Sequence, residues 1–318
     1  MKLHHSKFRV SIGMPVFNGE RYIRQAIQSI LAQTYKDFEL IIADNASTDR
    51  TQEICREFVA KDKRIRYFRN KANLGAPANY NLTFKLSSGE YFKWAAYDDV
   101  LSPEYLEKCV KVLDDDSSIV VCHSKVGCID ENGILIGNYD DRTLNRINSS
   151  KPHERFADLI SVRNTCWAIH AVMRSNTLEK TPLHGNYLDA DRNLLAELGL
   201  RGRFYEIPEH LFLRRDHPQA YTRIYYSRQG VCDYRTQLIW WTGHRKKRLL
   251  VLPHWRNFLE YFISINRVPL KISEQLLCCR ELGRWLLREN GLQLMKWDLI
   301  NELEIWRIKL HYSLNKKL

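Results

Sequence analysis

Two adjacent carboxylates, Asp98 and Asp99, follow the apolar run Tyr91–Ala95 and are the residues of this chain best suited to hold a hard divalent cation. Mg²⁺ or Mn²⁺ takes one or two carboxylates and completes its shell with phosphate oxygens, so such a pair suits the neutralisation of a diphosphate leaving group. The same pair also suits a loop turn or the acidic start of the next helix, and spacing alone does not separate these readings. A second polar cluster, Asp44, Asn45, Ser47, Thr48 and Asp49, lies between an apolar run and a helical pattern. There, side-chain oxygens and helical N–H groups can receive a nucleoside and its phosphates, or simply cap the helix. Pro15, Val16, Phe17, Asn18 and Gly19 form a rigid turn whose aromatic ring, with Tyr22, can wall a flat base or pack inside. Asn73, Leu74 and Gly75 form another turn beside Arg69 and Lys71, which reads equally as a solvated basic loop. Asp189 and Asp191 stand at a helix start, where aspartate usually caps; the functional alternative is a base that takes a proton from a hydroxyl. His217, in Arg214-Arg215-Asp216-His217, is a candidate metal ligand or phosphate contact, although a lone histidine is more often structural.

These residues need a scaffold, and the hydrophobic pattern supplies one. Short apolar runs at Arg9–Met14, Phe38–Ala43, Ile65–Phe68, Tyr91–Ala95 and Ile119–His123 alternate with helical spacing at Arg21–Gln33, Thr48–Lys61, Pro77–Leu86 and Pro103–Asp114. That alternation is the pattern of βαβ units around a parallel sheet. Ser47 and Thr48 mark one helix start, and Ser102 with Pro103 another. The loops Pro15–Gly19, Asp44–Asp49 and Asp98–Ser102 then share the carboxyl edge of one sheet, where open α/β sheets bind ligands. Further strands are expected at Ile134–Gly137, Trp167–Met173 and Phe204–Ile207, and a helix at Asp191–Leu198. We divide the chain into a catalytic domain, residues 1–220, with a donor half (1–125) and an acceptor half (126–220), and a basic helical C-terminal module, residues 221–318.

The 318 residues carry a net charge of +12, which draws anions without choosing among nucleic acid, anionic lipid and phosphate-bearing substrates. Neither RNA-binding aromatic signatures nor zinc-finger spacing occurs, so no nucleic-acid partner is expected. Eight cysteines lack CxxC spacing, which argues against zinc and disulfide frameworks and for a reducing cytoplasm. The apolar run Phe8–Phe17 is too short and interrupted to export the chain or to span a membrane. There is no GxxxxGK[ST] and no dinucleotide glycine pattern, which removes P-loop and NAD chemistry. In the C-terminal module, helices are expected at Ile272–Arg288 and Leu292–Tyr312. Met295, Leu299, Leu303, Trp306 and Leu310 recur at near-helical spacing with Lys296, Arg307 and Lys309 alongside. The stripe fits domain packing or an interfacial helix on an anionic membrane, a reading that the basic-aromatic segment Trp240–Leu252, with its run His244–Arg248, also supports.

The stretches VSIGMPVFNGERYIRQAIQSILAQTYKDFELIIADNASTDRT, NKANLGAPANYN and GEYFKWAAYDDVLSPEYLEK, in this order and spacing, resemble the inverting family 2 glycosyltransferases of GT-A fold. The resemblance covers about residues 8–130 closely and reaches about residue 218 more loosely. It implies an αβα nucleotide-diphosphosugar fold with a helical C-terminal extension, and Mn²⁺ or Mg²⁺ held by Asp99 and Asp98, with His217 as a further candidate. It implies nucleotide-sugar contacts from Pro15, Val16, Phe17, Asn18, Asp44, Asn73, Gly75 and Asp98. Asp191 falls on the general base, in DADRNLLAELGLRGRFYEIPEHLFLRR, with Ala190 where the family usually has Glu. Ala96 and Tyr97 replace the first acidic part of the family's acidic cluster, and Asn45 replaces the second Asp of its nucleoside-binding pair. The QxxRW signature of processive synthases does not occur after residue 200, which favours single addition.

The implied activity is inverting transfer from a nucleoside-diphosphate donor, a UDP-sugar, to a hydroxyl of a glycan or lipid-linked acceptor. Such transfer belongs to cell-surface polysaccharide or glycolipid synthesis, carried out in the cytoplasm or peripherally on the inner membrane face. Two other readings remain. A sugar nucleotidyltransferase also joins a metal, a nucleotide and an α/β sheet, but usually carries a Gly-rich basic loop that Met14–Gly19 lacks. A catalytically degenerate nucleotide-sugar or anionic-polymer binding protein would account for the charge and the altered acidic cluster.

Overall fold

The computed structural model describes residues 8–139, 144–161, 165–220, 234–242, 251–288 and 290–315. Its centre is a mixed sheet built on β1 (Val10–Val16) and β2 (Phe38–Asp44), each buried at every residue. Strands covered on both faces read as continuous apolar runs rather than alternating ones, which is how these two appear in the sequence. With β3 (Ile65–Arg69), β4 (Tyr91–Trp94), β5 (Val100–Leu101), β6 (Ile119–Ile129), β7 (Leu135–Tyr139), β8 (Val172–Arg174) and β9 (Arg203–Arg215), the order is β3-β2-β1-β4-β8-β6-β9-β5, and β7 pairs with β6. The linking helices are α1 (Ile23–Leu31), α2 (Thr51–Lys61), α3 (Ala76–Lys85), α4 (Tyr105–Asp115), α5 (Pro152–Ile160), α6 (Ser175–Leu178) and α7 (Ala190–Arg201). They are followed by α8 (Tyr234–Thr242), α9 (Pro253–Arg267), α10 (Ile272–Arg288) and α11 (Gly291–Asn315).

The expected parallel sheet holds for β3, β2, β1 and β4, and then gives way. Between β4 and β6 runs β8, antiparallel to both. The strand expected at Trp167–Met173 is therefore not one strand: Trp167–His170 is a 3₁₀ turn and only Val172–Arg174 joins the sheet. A short apolar run cannot by itself distinguish these outcomes. Two strands are much longer than expected, because β6 and β9 pair in parallel along most of their lengths, from Ile119↔Arg203 to Ile129↔Arg215. Helix starts also move. Ser47 and Thr48 do not cap α2; the Asp49 carboxylate accepts from the Thr51 N–H (3.0 Å) and hydroxyl (2.6 Å) instead. Before α4, Ser102 offers its carbonyl, not its side chain, to the Tyr105 N–H (3.1 Å).

Two cores flank the sheet. Ile12, Met14 and Ile42 meet Ile27, Leu106 and Val110 from α1 and α4 on one side. On the other, Phe92, Trp94 and Phe204 meet Phe156, Leu195 and Leu198 from α5 and α7. Tyr261 and Ile265 of α9, Leu282 and Trp285 of α10 and Met295 of α11 enter this second core. The helix expected at Ile272–Arg288 has those bounds, the one expected at Leu292–Tyr312 is α11, and α8 and α9 add two that periodicity did not single out. The run His244–Arg248 and the side chains of Lys309 and Leu310 lie outside the described residues.

One core position breaks the pattern. Lys93 on β4 is fully buried, with Nζ donating to the His170 carbonyl and lying 4.7 Å from the centroid of the Tyr105 ring. Burial without a carboxylate partner pulls its pKa down to about 7. The unfolded chain therefore binds more protons than the folded one between pH 7 and the ordinary lysine value, and this residue's penalty fades as pH rises through that window. Lys93→Met is expected to raise Tm at pH 7 by on the order of 2–5 °C, with the gain shrinking at pH 9.5, as read by thermal denaturation at both pH values.

Candidate active site

Parallel pairing places the carboxyl ends of three strands side by side. Val16 stands opposite Asp44, and Gly13 opposite Trp94, so the loops after β1, β2 and β4 open on one edge. Pro15 lies beyond the last β1–β4 pair, where a missing N–H costs no ladder bond on that side. Pro15 and Val16 are enclosed in the strand, and the Val16 carbonyl accepts the Asn45 N–H (2.8 Å), so neither offers a free side chain to the edge. Phe17, at 40%, and Asn18 are the exposed residues of this turn.

Hydrogen bonds weld the loops together. Asn18, at φ 52°, donates its N–H to Ser47 Oγ (2.9 Å) and accepts the Thr48 N–H through Oδ1 (2.8 Å). Asp44 lies beneath this junction, fully buried: Oδ1 accepts the Ser47 N–H (2.8 Å), and Oδ2 accepts the Tyr67 hydroxyl (2.6 Å) and faces Arg69 Nε at 3.3 Å. Asn45 ties in the third loop. Its Oδ1 accepts from the Leu74 N–H (2.9 Å) and Asn70 Nδ2 (3.0 Å), while its Nδ2 donates to Asn73 Oδ1 (2.8 Å). Asn73 Oδ1 also accepts the Gly75 N–H, and Gly75 enters α3 at φ 84°, a conformation that favours glycine. An aspartate at position 45 could accept but not donate, so Asn45 suits this two-way role.

The aspartate loop is held from the opposite direction. Short β5 pairs antiparallel with the end of β9, Val100 opposite Leu213 and Leu101 opposite Phe212. Beyond that pairing, the Arg215 N–H donates to Asp99 Oδ1 (2.9 Å) and the Arg215 Nε to the Asp98 carbonyl (2.8 Å). His217 Nε2 lies 3.0 Å from Asp98 Oδ2, and the histidine ring packs tilted against Tyr22 with centroids 4.6 Å apart. Tyr97 leans over Gly19, where an added Cβ would come within 2.8 Å of the tyrosine ring, so the loops after β1 and β4 touch. Burial and, secondarily, the charge of Asp98 push the Asp99 carboxyl up to about 8.

Two polar atoms of this region keep capacity for a further partner. With Nε2 engaged by Asp98, His217 Nδ1 is buried and has no hydrogen-bond partner among the described residues. Asp99 has Oδ1 on the Arg215 N–H, and its Oδ2 meets no hydrogen-bond donor among the described residues. No group of three or more His, Cys, Asp or Glu side chains forms a metal cage among the described residues. The set fits a Mg²⁺ or Mn²⁺ ion that draws its remaining ligands from a diphosphate, and does not fit a closed structural site.

Asp191 stands in the first turn of α7, after Asp189, whose φ of 59° turns the chain into the helix. Asp189 is tied to α9 by Asn257 Nδ2 (3.2 Å), whereas Asp191 accepts the N–H of its neighbour Arg192 (2.8 Å). Burial, and next the charge of Asp189, raise the Asp191 carboxyl above the ordinary range, which suits a proton acceptor. Burial, followed by the charges of Asp98, Asp99 and Asp191, raises the Tyr80 hydroxyl of α3. Arg215, which holds the aspartate loop, was visible in the sequence only as a neighbour of His217.

A family model described as glycosyl transferase family 2 matches residues 11–175. An uncharacterized glycosyltransferase of Methanocaldococcus jannaschii is 37% identical over 132 residues, 41% of this chain and 46% of that protein. An uncharacterized glycosyltransferase of Rickettsia typhi is 38% identical over 116 residues, 36% of this chain and 35% of the relative. The chain thus spans less than half the length of each of these two. One from Haemophilus influenzae is 29% identical over 227 residues, covering 70% of this chain and 69% of the relative. Among solved structures, S. aureus TarS 1-349 in complex with UDP superposes with a TM-score of 0.60 at 17% identity, over 90% of this chain and 75% of that one. The mannosyltransferase PcManGT from Pyrobaculum calidifontis, in complex with GDP-Man and Mn²⁺, superposes at 0.52 with 14% identity, over 98% of this chain and 81% of that one. The match over more than half of the chain, on a sheet whose carboxyl edge gathers these loops, shows that the chain belongs to glycosyl transferase family 2 and has the GT-A fold.

Proposed function

We propose that this enzyme transfers a sugar from a UDP-sugar to a hydroxyl of a glycan or lipid-linked acceptor, with inversion at the anomeric carbon. The observation that carries the reading is the gathering of the loops after β1, β2 and β4 on one sheet edge, with Asp98 and Asp99 on the last of them held by Arg215 and His217. In this scheme the acceptor hydroxyl gives its proton to Asp191. Its oxygen then bonds to the anomeric carbon as the bond from that carbon to the diphosphate breaks. The welded loops receive the nucleotide: Phe17 and Asn18 at the surface, Asn73 and Gly75 at the rim, and Pro15, Val16 and Asp44 as the floor that shapes it. Asp99, Asp98 and His217 would hold Mg²⁺ or Mn²⁺, which when bound offsets the charge of the departing diphosphate. The UDP and GDP-Man complexes of the fold relatives, one of them with Mn²⁺, support a nucleotide donor and a metal. Residues 1–125 form the donor half and 126–220 the acceptor half of the catalytic domain in this reading.

The acceptor side points to a membrane surface. No helix among the described residues is long and apolar enough to cross a membrane. Yet α11 turns Asp298 and Glu302 inward and most of its apolar groups outward: Asp298 binds His254 (2.8 Å) and Glu302 the Val251 N–H (3.2 Å), while Leu292, Leu299, Ile300, Leu303 and Trp306 are exposed, with Glu304 exposed among them. Leu259, Phe262 and Ile263 of α9 and Ile272, Leu276 and Leu287 of α10 add further exposed stripes. Lys296 and Arg307 stand exposed beside the α11 stripe. Apolar stripes flanked by cations suit the anionic face of a bilayer, which would place a lipid-linked acceptor beside the site and sugar transfer within glycolipid or cell-surface polysaccharide synthesis. Residues 221–318 act in this reading as the attachment module on the inner membrane face.

Asp99→Asn and Asp191→Asn are each expected to lower transfer at least ~100-fold with unchanged far-UV circular dichroism. Release of UDP from candidate UDP-sugars, with and without Mn²⁺, measures this, and near-normal turnover by either variant removes that residue from its role. In flotation with vesicles containing phosphatidylglycerol, the chain is expected to rise with the lipid, and Leu299→Glu with Leu303→Glu to stay behind. A wild-type chain that stays at the bottom and sediments as a dimer assigns the apolar stripes to a second copy instead.

A further inference from the structure

We infer that Arg215 is the positioning residue of the donor site, the group that sets the aspartate loop in its cation-binding shape. The inference rests on the metal-assisted reading proposed above. Arg215 is 2% exposed, and among the described residues no carboxylate forms an ion pair with it. Its guanidinium instead donates to uncharged acceptors on three separate elements: Nε to the Asp98 carbonyl (2.8 Å), Nη1 to the carbonyls of Asp130 (3.0 Å) and Glu131 (3.3 Å), and Nη2 to Gln25 Oε1 of α1. Its plane covers the Tyr22 ring at 4.9 Å, the ring that also backs His217. Its own N–H fixes Asp99 Oδ1.

A buried guanidinium without a counter-ion is costly, and a chain that needed only a staple here would be served by an apolar side chain. What an apolar side chain cannot do is bond the Asp98 carbonyl, the β6–β7 turn and α1 together while its backbone orients Asp99. The rigid planar fork makes this geometry, and the single ammonium of lysine cannot reach all of these acceptors. Arg215 therefore determines where the Asp98 and Asp99 oxygens and the ring of His217 stand relative to one another. It touches neither donor nor ion, and acts through the residues that do.

The test uses the full chain as wild type, Arg215→Lys and Gln25→Ala. Gln25 is exposed, so its truncation removes one arm of the fork without opening the core. UDP binding is measured by calorimetry across a Mn²⁺ series, with free Mn²⁺ followed by electron paramagnetic resonance and folding by thermal denaturation. In Arg215→Lys the half-saturating Mn²⁺ concentration is expected to rise at least ~10-fold, as when a group supporting metal ligands is lost. In Gln25→Ala it should rise roughly 3-fold, with UDP affinity in the absence of Mn²⁺ unchanged in both. If the variants lose thermal stability but respond to Mn²⁺ as wild type does, Arg215 is a staple and the inference fails. If wild type itself binds UDP equally with and without Mn²⁺, the metal-assisted reading fails and takes this inference with it. If Arg215→Lys does not fold, Gln25→Ala alone decides, because an unchanged Mn²⁺ response there contradicts the assigned geometry.

Discussion

The pairing of two-residue β5 with the end of β9 is the contact on which the site depends. It is short, yet it brings a strand from the second half of the chain against the loop that follows β4. Without it, Asp98 and Asp99 would sit on an exposed connection between β4 and α4. With it, Arg215 at the end of β9 reaches both residues and His217 just beyond reaches Asp98, on a strand whose course is dictated elsewhere, by its parallel pairing along β6. The long β6–β9 ladder therefore serves as the ruler, and the aspartate loop is set against it.

The donor loops follow a different logic. They are held by side-chain amides, hydroxyls and a carboxylate rather than by strand pairing, and these bond both backbone N–H groups and one another. Asn45 is the centre of this arrangement, since a carboxamide both accepts from the Asn73–Gly75 loop and donates to it. Asp44 supports the same assembly from below, with its carboxylate spent on Ser47, Tyr67 and Arg69. A site built this way is preorganised: the loops are in place before a ligand arrives, and binding need not supply the ordering entropy.

The second core ties the C-terminal helices to the rest of the domain. Helix α7, which carries Asp191, is wedged between α5 and α9, and Asn257 of α9 bonds both Asn193 and Asp189 beside it. The helices that expose apolar stripes outward thus also brace the start of α7 inward.

Much of this was legible in the residues alone, for a physical reason. Strands buried on both faces must be apolar throughout, and helices covering them must be amphipathic, so β1 to β4 and their helices could be read from local pattern, with the loops Pro15–Gly19 and Asp44–Asp49 at their carboxyl ends. The motifs at those loops carried the family likeness as well. What local pattern could not contain was any relation between distant segments. Nothing near Trp167–Met173 signals that only its end joins the sheet, between β4 and β6. Nothing in Arg214-Arg215-Asp216-His217 reveals that the arginine, more than the histidine, binds the loop of Asp98. On spacing alone Asp98 and Asp99 were as good a turn as a cation site. Only the tertiary structure seats Asp98 Oδ2 against His217 and Asp99 Oδ1 on the Arg215 N–H, because those partners lie 119 and 116 positions away in the chain, beyond any local pattern.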